Sequence, residues 1–163
     1  MLHIYMGDGK GKTTAAVGLL IRALGSGMKC GYCTFFKDGT SSEFEVLKQI
    51  DKLKIFDCPE RMKFLWNMTD EEKENLKSFY MEVLKNILEY EMDFLVMDEA
   101  LDAVCAGFLD EDFIIDVSKK CEVVVTGRGE CKKLFEAADY ITEMKKIKHP
   151  YDKGIKARKG IEY

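Results

Sequence analysis

The feature that most constrains the fold of this chain is a glycine-rich segment near its amino terminus, residues 7–14, which reads Gly-Asp-Gly-Lys-Gly-Lys-Thr-Thr. The apolar residues 2–6 before it predict a buried strand, and residues 13–24 after it carry apolar side chains at helical spacing. A strand, a glycine-rich turn and a helix in this order are typical of a loop whose backbone N–H groups surround phosphate oxygens. The alternative is a turn that only connects a strand to a helix.

Each residue type in this glycine-rich loop suits a phosphate ligand. Gly7, Gly9 and Gly11 let backbone N–H groups approach phosphate oxygens without a Cβ in the way. Lys12 would place a cation on the phosphates of ATP, and its ammonium has no evident packing role. The hydroxyl of Thr13 would reach a magnesium ion. One position departs from the usual pattern, because Met6 stands where the first glycine is expected.

An acidic pair after a later apolar run predicts the second half of the same site. Residues 94–97 read Phe-Leu-Val-Met and are followed by Asp98 and Glu99. We expect Asp98 to act on magnesium from the second coordination shell, and Glu99 to be a magnesium ligand or a base. The bland alternative is a helix N-cap.

Short apolar runs alternate with segments of helical period along the chain, which predicts an α/β fold. We expect one domain, residues 1–163, with the three-layer architecture of a RecA-like P-loop NTPase and a mainly parallel central sheet flanked by helices. The strands are predicted at 2–6, 29–36, 94–97, 121–126 and 140–147, with a short strand and irregular chain in 54–67. The helices are predicted at 13–24, 42–50, 69–90, 99–107, 111–119 and 130–138, and residues 148–163 show no period.

Composition narrows the function classes. The 25 basic and 29 acidic residues give a net charge of −4, which offers no positive field for a nucleic acid. No stretch approaches the ~20 apolar residues that span a bilayer, and no signal peptide opens the chain, so we expect a cytoplasmic protein with no membrane partner. Cys30 and Cys33 have the spacing of a zinc or redox pair, but they lie in a predicted strand and are expected to be buried thiols.

Three segments and the tail together resemble the P-loop type of ATP:corrinoid adenosyltransferase. They are the glycine-rich loop extended to residue 16, Val-Met-Asp-Glu-Ala at 96–100, and Val-Thr-Gly-Arg-Gly at 125–129. Residues 147–163 are similar to that family's carboxyl terminus, with its Lys-His, Asp-x-Gly, Lys-Ala and Gly-Ile-acid-Tyr elements. The resemblance covers nearly the whole chain.

This resemblance implies transfer of the 5′-deoxyadenosyl group of ATP to the cobalt of a reduced corrinoid, with release of triphosphate. The family loop also lacks the first glycine and is associated with ATP bound in reversed polarity, which fits Met6. The implied catalytic residues are Lys12, Thr13, Glu99 and Arg128, and magnesium would involve Thr13, Asp98 and Glu99. The residues implied to bind ATP are Gly7, Asp8, Gly9, Lys10, Gly11, Lys12, Thr13, Thr14 and Arg128. Arg128 could otherwise be a surface residue of a turn.

Phe64 and Trp66 match the family's Phe-x-Trp element, which implies that they cover the lower face of the corrinoid and exclude a ligand from cobalt(II). We expect both rings on one side of an extended segment, since alternate side chains of such a segment point the same way. The alternative is that both rings pack in the core. The resemblance also implies a homodimer and an electron donor, either a flavoprotein or another reductant.

Two departures from the family leave other functions open. Relatives carry a few dozen residues before the loop, whereas here the first strand begins almost at once, so the corrinoid would be capped by a neighbouring subunit or not at all. Asp8 stands where relatives often have asparagine, and its carboxylate beside a triphosphate costs affinity unless it meets magnesium or a donor. The remaining hypotheses are a RecA-like P-loop ATPase or kinase, and a non-catalytic nucleotide or corrinoid binding module.

Overall fold

A six-stranded, all-parallel sheet organises the chain. The computed structural model describes residues 1–162, so the last residue of the tail motif, Tyr163, lies outside the described residues. The strand order is β3-β2-β4-β5-β1-β6, in which every neighbouring pair is parallel. The predicted α/β class and central parallel sheet are therefore confirmed.

Strands and helices alternate along the chain as the sequence predicts. The strands are β1 Leu2–Met6, β2 Cys30–Thr34, β3 Leu53–Ile55, β4 Phe94–Asp98, β5 Glu122–Gly127 and β6 Tyr140–Glu143. The helices are α1 Lys12–Gly25, α2 Ser42–Leu47, α3 Asp70–Glu89, α4 Ala100–Cys105, α5 Glu111–Ser118 and α6 Lys132–Ala137. Short 3₁₀ turns lie at Leu65–Asn67 and Pro150–Lys153.

Both faces of the sheet are covered, which makes three layers. Helices α1 and α2 bury one face, and α3 to α6 bury the other. The central strand β4 shows why its sequence is apolar throughout, because Phe94 and Val96 enter one core while Leu95 and Met97 enter the other. None of the helices within residues 1–162 combines the length and apolar composition that crossing a bilayer requires.

The pair Cys30 and Cys33 is divided by the same alternation. Both thiols are buried in β2, as predicted, but Cys30 lies in the core under α1 and Cys33 in the core on the opposite face. Residues three apart on a strand point to opposite sides of the sheet. The two sulfurs therefore stabilise the protein as small apolar side chains.

The observed ends of several elements differ from the predicted ones. Strand β6 ends at Glu143 rather than at residue 147, because the Met144 N–H still donates to Met6 of β1 but the Met144 carbonyl oxygen accepts from Gly9 of the glycine-rich loop. Residues 65–67 form a helical turn where an extended segment was predicted. Local sequence patterns do not contain information about tertiary contacts, so the end of β6 and the turn at residues 65–67 could not be predicted from the sequence.

The parallel arrangement determines where function can lie. The carboxyl ends of β1, β2, β4 and β5 meet at one edge of the sheet, and each is followed by a segment with polar residues. In open parallel sheets, ligands bind in the crevice beyond this edge. The glycine-rich loop, the acidic pair and the Thr-Gly-Arg-Gly segment all begin there.

Helix α3 begins with the capping box that the sequence predicts. The Thr69 hydroxyl accepts a hydrogen bond from the Glu72 backbone N–H at 3.2 Å, and the Glu72 carboxylate accepts one from the Thr69 N–H at 3.0 Å. Helix α2 has Ser41 at the equivalent position, but its Oγ has no hydrogen-bond partner. The two N-caps thus form a matched pair, one bonded and one not.

We predict that Thr69→Ala lowers the free energy of unfolding by about 1 kcal/mol, since a bonded N-cap hydroxyl satisfies a free N–H of the first turn. Ser41→Ala should change it by no more than about 0.5 kcal/mol, because no bond is lost. Urea denaturation followed by circular dichroism measures both values. Equal losses in the two variants would contradict the assignment of the capping bond.

Candidate active site

The glycine-rich loop turns sharply away from the end of β1. Met6 is the last residue of that strand and pairs with Gly127 of β5 and Glu143 of β6, so its backbone is extended and needs no glycine. The first left-handed backbone angle comes one residue later, at Gly7 with φ 109°. A second, φ 114° at Gly11, brings the chain into α1. The departure at Met6 is thus accommodated by the sheet itself.

Close packing explains two of the glycines. A Cβ on Gly7 or Gly9 would lie 2.6 or 2.5 Å from the carbonyl oxygen of Met144. The Gly9 N–H also donates to that oxygen at 2.6 Å. Sequence reasoning assigned these glycines to phosphate contact alone, but here they first allow the loop to pack on the segment after β6. A Cβ on Gly11, by contrast, would meet open space.

Lys12 holds the loop in its curled shape. Its ammonium donates to the carbonyl oxygens of Gly7 at 2.6 Å and Gly9 at 3.0 Å. Burial lowers the pKa of Lys12, and the charge of Arg128 lowers it further. The expectation that this ammonium has no packing role is therefore wrong, because it links two carbonyl groups of the loop by hydrogen bonds.

The amino end of α1 is open to an anion. The N-cap residue Gly11 provides no capping side chain, and no acidic residue lies in the first helical turn. A helix amino terminus carries about half a positive charge, spread over N–H groups without partners in the helix. Lys12, Thr13 and Thr14 lie in this turn, so cation, hydroxyls and helix dipole coincide.

The Asp98 carboxylate lies at the centre of the site and is fully buried. Its Oδ1 accepts hydrogen bonds from the hydroxyls of Thr13 at 2.8 Å and Thr126 at 2.6 Å. Its Oδ2 accepts one from the Lys37 ammonium at 2.6 Å and a longer one from the Tyr32 hydroxyl at 3.5 Å. Groups from β2, β4, β5 and the first turn of α1 are thereby joined through one side chain.

Glu99 adjoins Asp98 in a conformation that is unusual for a non-glycine residue. Its φ of 58° is left-handed, and its N–H donates to the Thr126 hydroxyl at 2.9 Å. Burial raises the pKa of Glu99 to about 7, with a further contribution from the negative charge of Asp98. The Lys37 ammonium, 3.9 Å from its Oε1, acts in the opposite direction.

The Thr-Gly-Arg-Gly segment packs directly on α4. A Cβ on Gly127 would lie 2.5 Å from the Asp102 carboxylate, and one on Gly129 would collide with the Cys105 sulfur. The Arg128 N–H donates to the same Asp102 carboxylate at 2.9 Å, while the residue itself is exposed. Both glycines are therefore required to bring the backbone this close to the helix.

A cavity of about 640 Å³ opens beside the glycine-rich loop. Thr13, Thr14 and Phe64 all line this cavity. The structure therefore brings together predicted site residues that are about 50 positions apart in the sequence. The Phe64 and Trp66 rings stack at 4.5 Å with planes 8° apart. They are 65% and 77% exposed, which rules out the alternative that they pack in the core.

The route by which these two rings come together differs from the predicted one. Residues 65–67 form a 3₁₀ turn, so the argument from alternate side chains of an extended segment is wrong. Leu65 instead turns inward and packs against the core, while the rings on either side stay outside. The pair is thus anchored by the residue between its members.

The carboxyl-terminal tail also borders the cavity. Gly160, Ile161 and Glu162 line it opposite the glycine-rich loop. Glu162 accepts hydrogen bonds from the Arg158 side chain and backbone, which lowers its pKa to about 2. The period-free tail is therefore part of the cavity wall.

The donor atoms at the carboxyl end of β4 suit magnesium. Thr13 supplies a hydroxyl and Asp98 and Glu99 supply carboxylates, all of them oxygen ligands of the kind Mg²⁺ prefers. Within residues 1–162 no group of three or more His, Cys, Asp or Glu side chains could enclose a metal. Magnesium usually relies on one or two carboxylates together with substrate phosphates and water, so this small donor set fits it.

Sequence reasoning missed Lys37, Thr126 and Tyr32, all of which bond to Asp98. Lys37 lies just after the carboxyl end of β2, and Asp98 lies at the carboxyl end of β4. The rule that ligands bind beyond the carboxyl ends of parallel strands therefore applies to both residues. Thr126 lies within the segment that carries the family resemblance, and only its role was missing. Tyr32 had no local signal, since its hydroxyl reaches Asp98 across neighbouring strands.

Comparison with known proteins agrees with this geometry. The family model described as ATP:corrinoid adenosyltransferase BtuR/CobO/CobP matches residues 1–163. A corrinoid adenosyltransferase of Pseudomonas aeruginosa is 32% identical over 169 residues, covering all of this chain and 83% of the relative. Proteins of the same name from Sinorhizobium sp and Escherichia coli are 30% and 28% identical, covering all of this chain and 80% and 85% of their own lengths. The chain belongs to the ATP:corrinoid adenosyltransferase family.

Proposed function

We propose that this protein transfers the 5′-deoxyadenosyl group of ATP to the cobalt of a reduced corrinoid and releases inorganic triphosphate. The observation that carries the proposal is one cavity lined both by Thr13 and Thr14, where the phosphate-type loop enters α1, and by Phe64, whose exposed ring stacks on the ring of Trp66. The loop suits a polyphosphate, and the rings suit a large flat apolar surface. A corrinoid and ATP are substrates of these two kinds.

The reaction requires a stabilised leaving group rather than a nucleophile from the protein. The electron pair of cobalt(I) attacks the 5′-carbon, a Co–C bond forms, and the C–O bond breaks so that the triphosphate takes its electron pair. Lys12, Lys10, Thr13, Thr14 and the open amino end of α1 offer positive charge and donors where that negative charge grows. Arg128 would add a guanidinium that binds two phosphate oxygens at once.

Thr13, Asp98 and Glu99 are the residues that would hold magnesium beside the triphosphate. When bound, the ion supplies charge that offsets the negative charge developing on the phosphate oxygens. The Oδ1 atom of Asp98 accepts from both Thr13 and Thr126, so Asp98 orients Thr13 and suits contact with the ion through water, as its predicted second-shell role requires. Glu99 is the more open carboxylate, with 29% of its side chain exposed.

Phe64 and Trp66 would lie against the lower face of the corrinoid. Their apolar rings exclude water and coordinating bases from the cobalt, which favours the four-coordinate metal that accepts an electron more readily. The electron itself would come from a flavoprotein or another reductant. We further propose that the protein is cytoplasmic and works as a homodimer.

The ionisation of Glu99 is part of this function, because only the charged carboxylate binds a metal. The raised pKa of about 7 means that folding holds a proton on Glu99 at pH values where the unfolded chain has lost it. The folded state then binds more protons, and stability falls as pH rises. Ionising Glu99 in the folded protein therefore costs free energy, and a bound cation would offset this cost.

We predict that the inorganic product from magnesium ATP and a chemically reduced corrinoid is triphosphate, and that Lys12→Ala lowers kcat by about 10²–10³, the usual effect of losing one transition-state donor. Ion chromatography identifies the product, and the light-sensitive adenosylated corrinoid is followed by its absorption. Lys77→Ala, which changes an exposed lysine of α3, is the control and should keep full activity.

Two outcomes would contradict this reading. ADP and phosphate as products would favour a P-loop ATPase or kinase, and tight binding without turnover would favour a binding module. Because Lys12 also bonds to the loop carbonyls, the melting temperature of Lys12→Ala has to be compared with that of the wild type. Lost activity in a variant that melts normally assigns the effect to the ammonium.

We predict that Phe64→Ala and Trp66→Ala lose activity when the corrinoid is supplied as cobalt(II) with a mild reductant, but keep it when cobalt(I) is prepared chemically. The rings act before group transfer, by removing the lower ligand. Both residues are exposed, so the variants should fold normally. Tyr151→Ala, another exposed aromatic residue, is the control. Equal losses with both corrinoid forms would show that the rings act elsewhere.

We predict that the free energy of unfolding of the wild type falls, relative to Glu99→Gln, as pH rises from the ordinary glutamate value of 4.5 to about 7, and then levels off. Below that window Glu99 is protonated in both states, so the difference is constant. Urea denaturation at several pH values measures it, with the exposed Glu91→Gln as control. A difference that is constant across the window would refute the raised pKa.

A further inference from the structure

Lys37 bonds to the oxygen of Asp98 that Thr13 and Thr126 do not use. Its ammonium donates to Asp98 Oδ2 at 2.6 Å and lies 3.9 Å from Glu99 Oε1, so it contacts both members of the acidic pair. The two carboxylates stand at the place proposed for magnesium. A cation of the protein is therefore already placed where an inorganic cation is expected.

The backbone on both sides of this contact is strained. Among residues 1–162, Phe36 and Glu99 are the only non-glycine residues with left-handed φ angles, 55° and 58°. Phe36 directly precedes Lys37, and its N–H is fixed by a hydrogen bond to the Tyr80 hydroxyl at 2.7 Å. Strain of this kind persists only where the surrounding structure enforces it, and it clusters at functional sites. The fold thus holds the Lys37 ammonium against the acidic pair.

The ammonium is also able to move. Lys37 lines the cavity, and 29% of its side chain is exposed. A lysine ammonium is a compact point charge on four flexible carbons, unlike the planar fork of arginine. It can leave Asp98 by rotating its side chain into the cavity, while Thr13 and Thr126 keep Asp98 Oδ1 in place.

We propose that Lys37 is a built-in counter-cation, which balances the charge of Asp98 beside Glu99 while no metal is bound and gives up that position when magnesium binds. This inference rests on the magnesium site proposed above. Lys37 is then a positioning residue that sets how tightly the site takes a divalent cation and turns its ammonium toward the triphosphate when it is displaced.

The electrostatics require an exchange rather than joint occupancy. A fully buried carboxylate is costly without a positive partner, so the empty site needs Lys37. Burial is the largest influence on the pKa of Lys37 and lowers it, but the attraction and hydrogen bond of Asp98, together with the charges of Glu99 and Glu43, raise the pKa overall, so the ammonium stays charged. A divalent cation beside the same carboxylates would repel it. Metal binding then displaces the ammonium from Asp98 Oδ2, and the loss of this ion pair lowers the affinity for the metal.

The first test titrates nucleotide-free protein with Mn²⁺, followed by electron paramagnetic resonance. Lys37→Met should bind Mn²⁺ about tenfold more tightly than the wild type, because no ion pair has to be broken. Lys63→Met makes the same change on another wall of the cavity, where the ammonium pairs with Glu72, and should bind like the wild type. Lys37→Arg keeps the charge and should not show the tighter binding.

Stability provides a second readout that a purely structural role would not reproduce. In EDTA, Lys37→Met should melt a few degrees below the wild type, since Asp98 is left without its counter-charge. Millimolar Mg²⁺ should restore most of this loss and should raise the melting temperature of the wild type much less. A loss that Mg²⁺ does not restore would overturn the inference.

A third measurement uses the wild type and does not depend on a variant that folds. The ¹⁵N-labelled ammonium group of Lys37, assigned from its absence in Lys37→Arg, should give a signal protected by the ion pair in EDTA. Mg²⁺ should remove or shift this signal. A Lys37 signal that saturating Mg²⁺ leaves unchanged would show that the ammonium stays on Asp98.

The Mn²⁺ titration distinguishes failure of the proposed counter-cation from failure of the proposed metal site. Equal Mn²⁺ affinity in the wild type and Lys37→Met would overturn the counter-cation while the proposed metal site stands. If neither protein binds Mn²⁺ more tightly than Asp98→Asn does, the metal site fails and the counter-cation fails with it.

Discussion

The buried Asp98 carboxylate is the interaction on which the rest of the site depends. An ionised carboxylate with no exposure to water is stable only if each oxygen has donors, and here four donors come from three separate segments of chain. Satisfying that one group fixes the distance between the end of β4, the first turn of α1, the end of β5 and the loop after β2. The geometry of the site therefore follows from the need to replace the water lost by a buried carboxylate with hydrogen-bond donors.

The parallel sheet makes such convergence possible. All six strands run the same way, so their carboxyl ends share one edge, and segments far apart in sequence meet there. The glycine-rich loop and the segment after β5 are each attached through a backbone N–H group. The Met144 carbonyl oxygen accepts from the Gly9 N–H, and the Asp102 carboxylate accepts from the Arg128 N–H. Glycine is required at both contacts because a Cβ would collide, which links the glycine pattern to packing as well as to ligand binding.

Local patterns predicted the strands, the long helix α3, and the positions of the glycine-rich loop and the acidic pair at strand ends, because each is encoded in one continuous stretch of sequence. What the sequence could not show is how distant groups share a partner. Lys37 and Tyr32 reach Asp98 only after β2 is placed beside β4, and the bonds from Lys12 to the loop carbonyls depend on the curl of the backbone. The 3₁₀ turn at Leu65–Asn67 was missed for a similar reason. The turn points Leu65 inward, and this orientation is stabilised by tertiary packing against the core, which the local sequence does not show.

The exposed aromatic pair completes the argument about substrate. Stacking Phe64 on Trp66 hides one face of each ring from water, yet both residues remain mostly exposed beside a large cavity. An apolar surface of this kind on a folded protein usually marks a binding site. Phe64 lines the same cavity as Thr13 and Thr14, whose hydroxyls lie in the open first turn of α1 and attract the opposite kind of group. The name of the family pairs two such substrates, since ATP carries a polyphosphate and a corrinoid is a large flat ring.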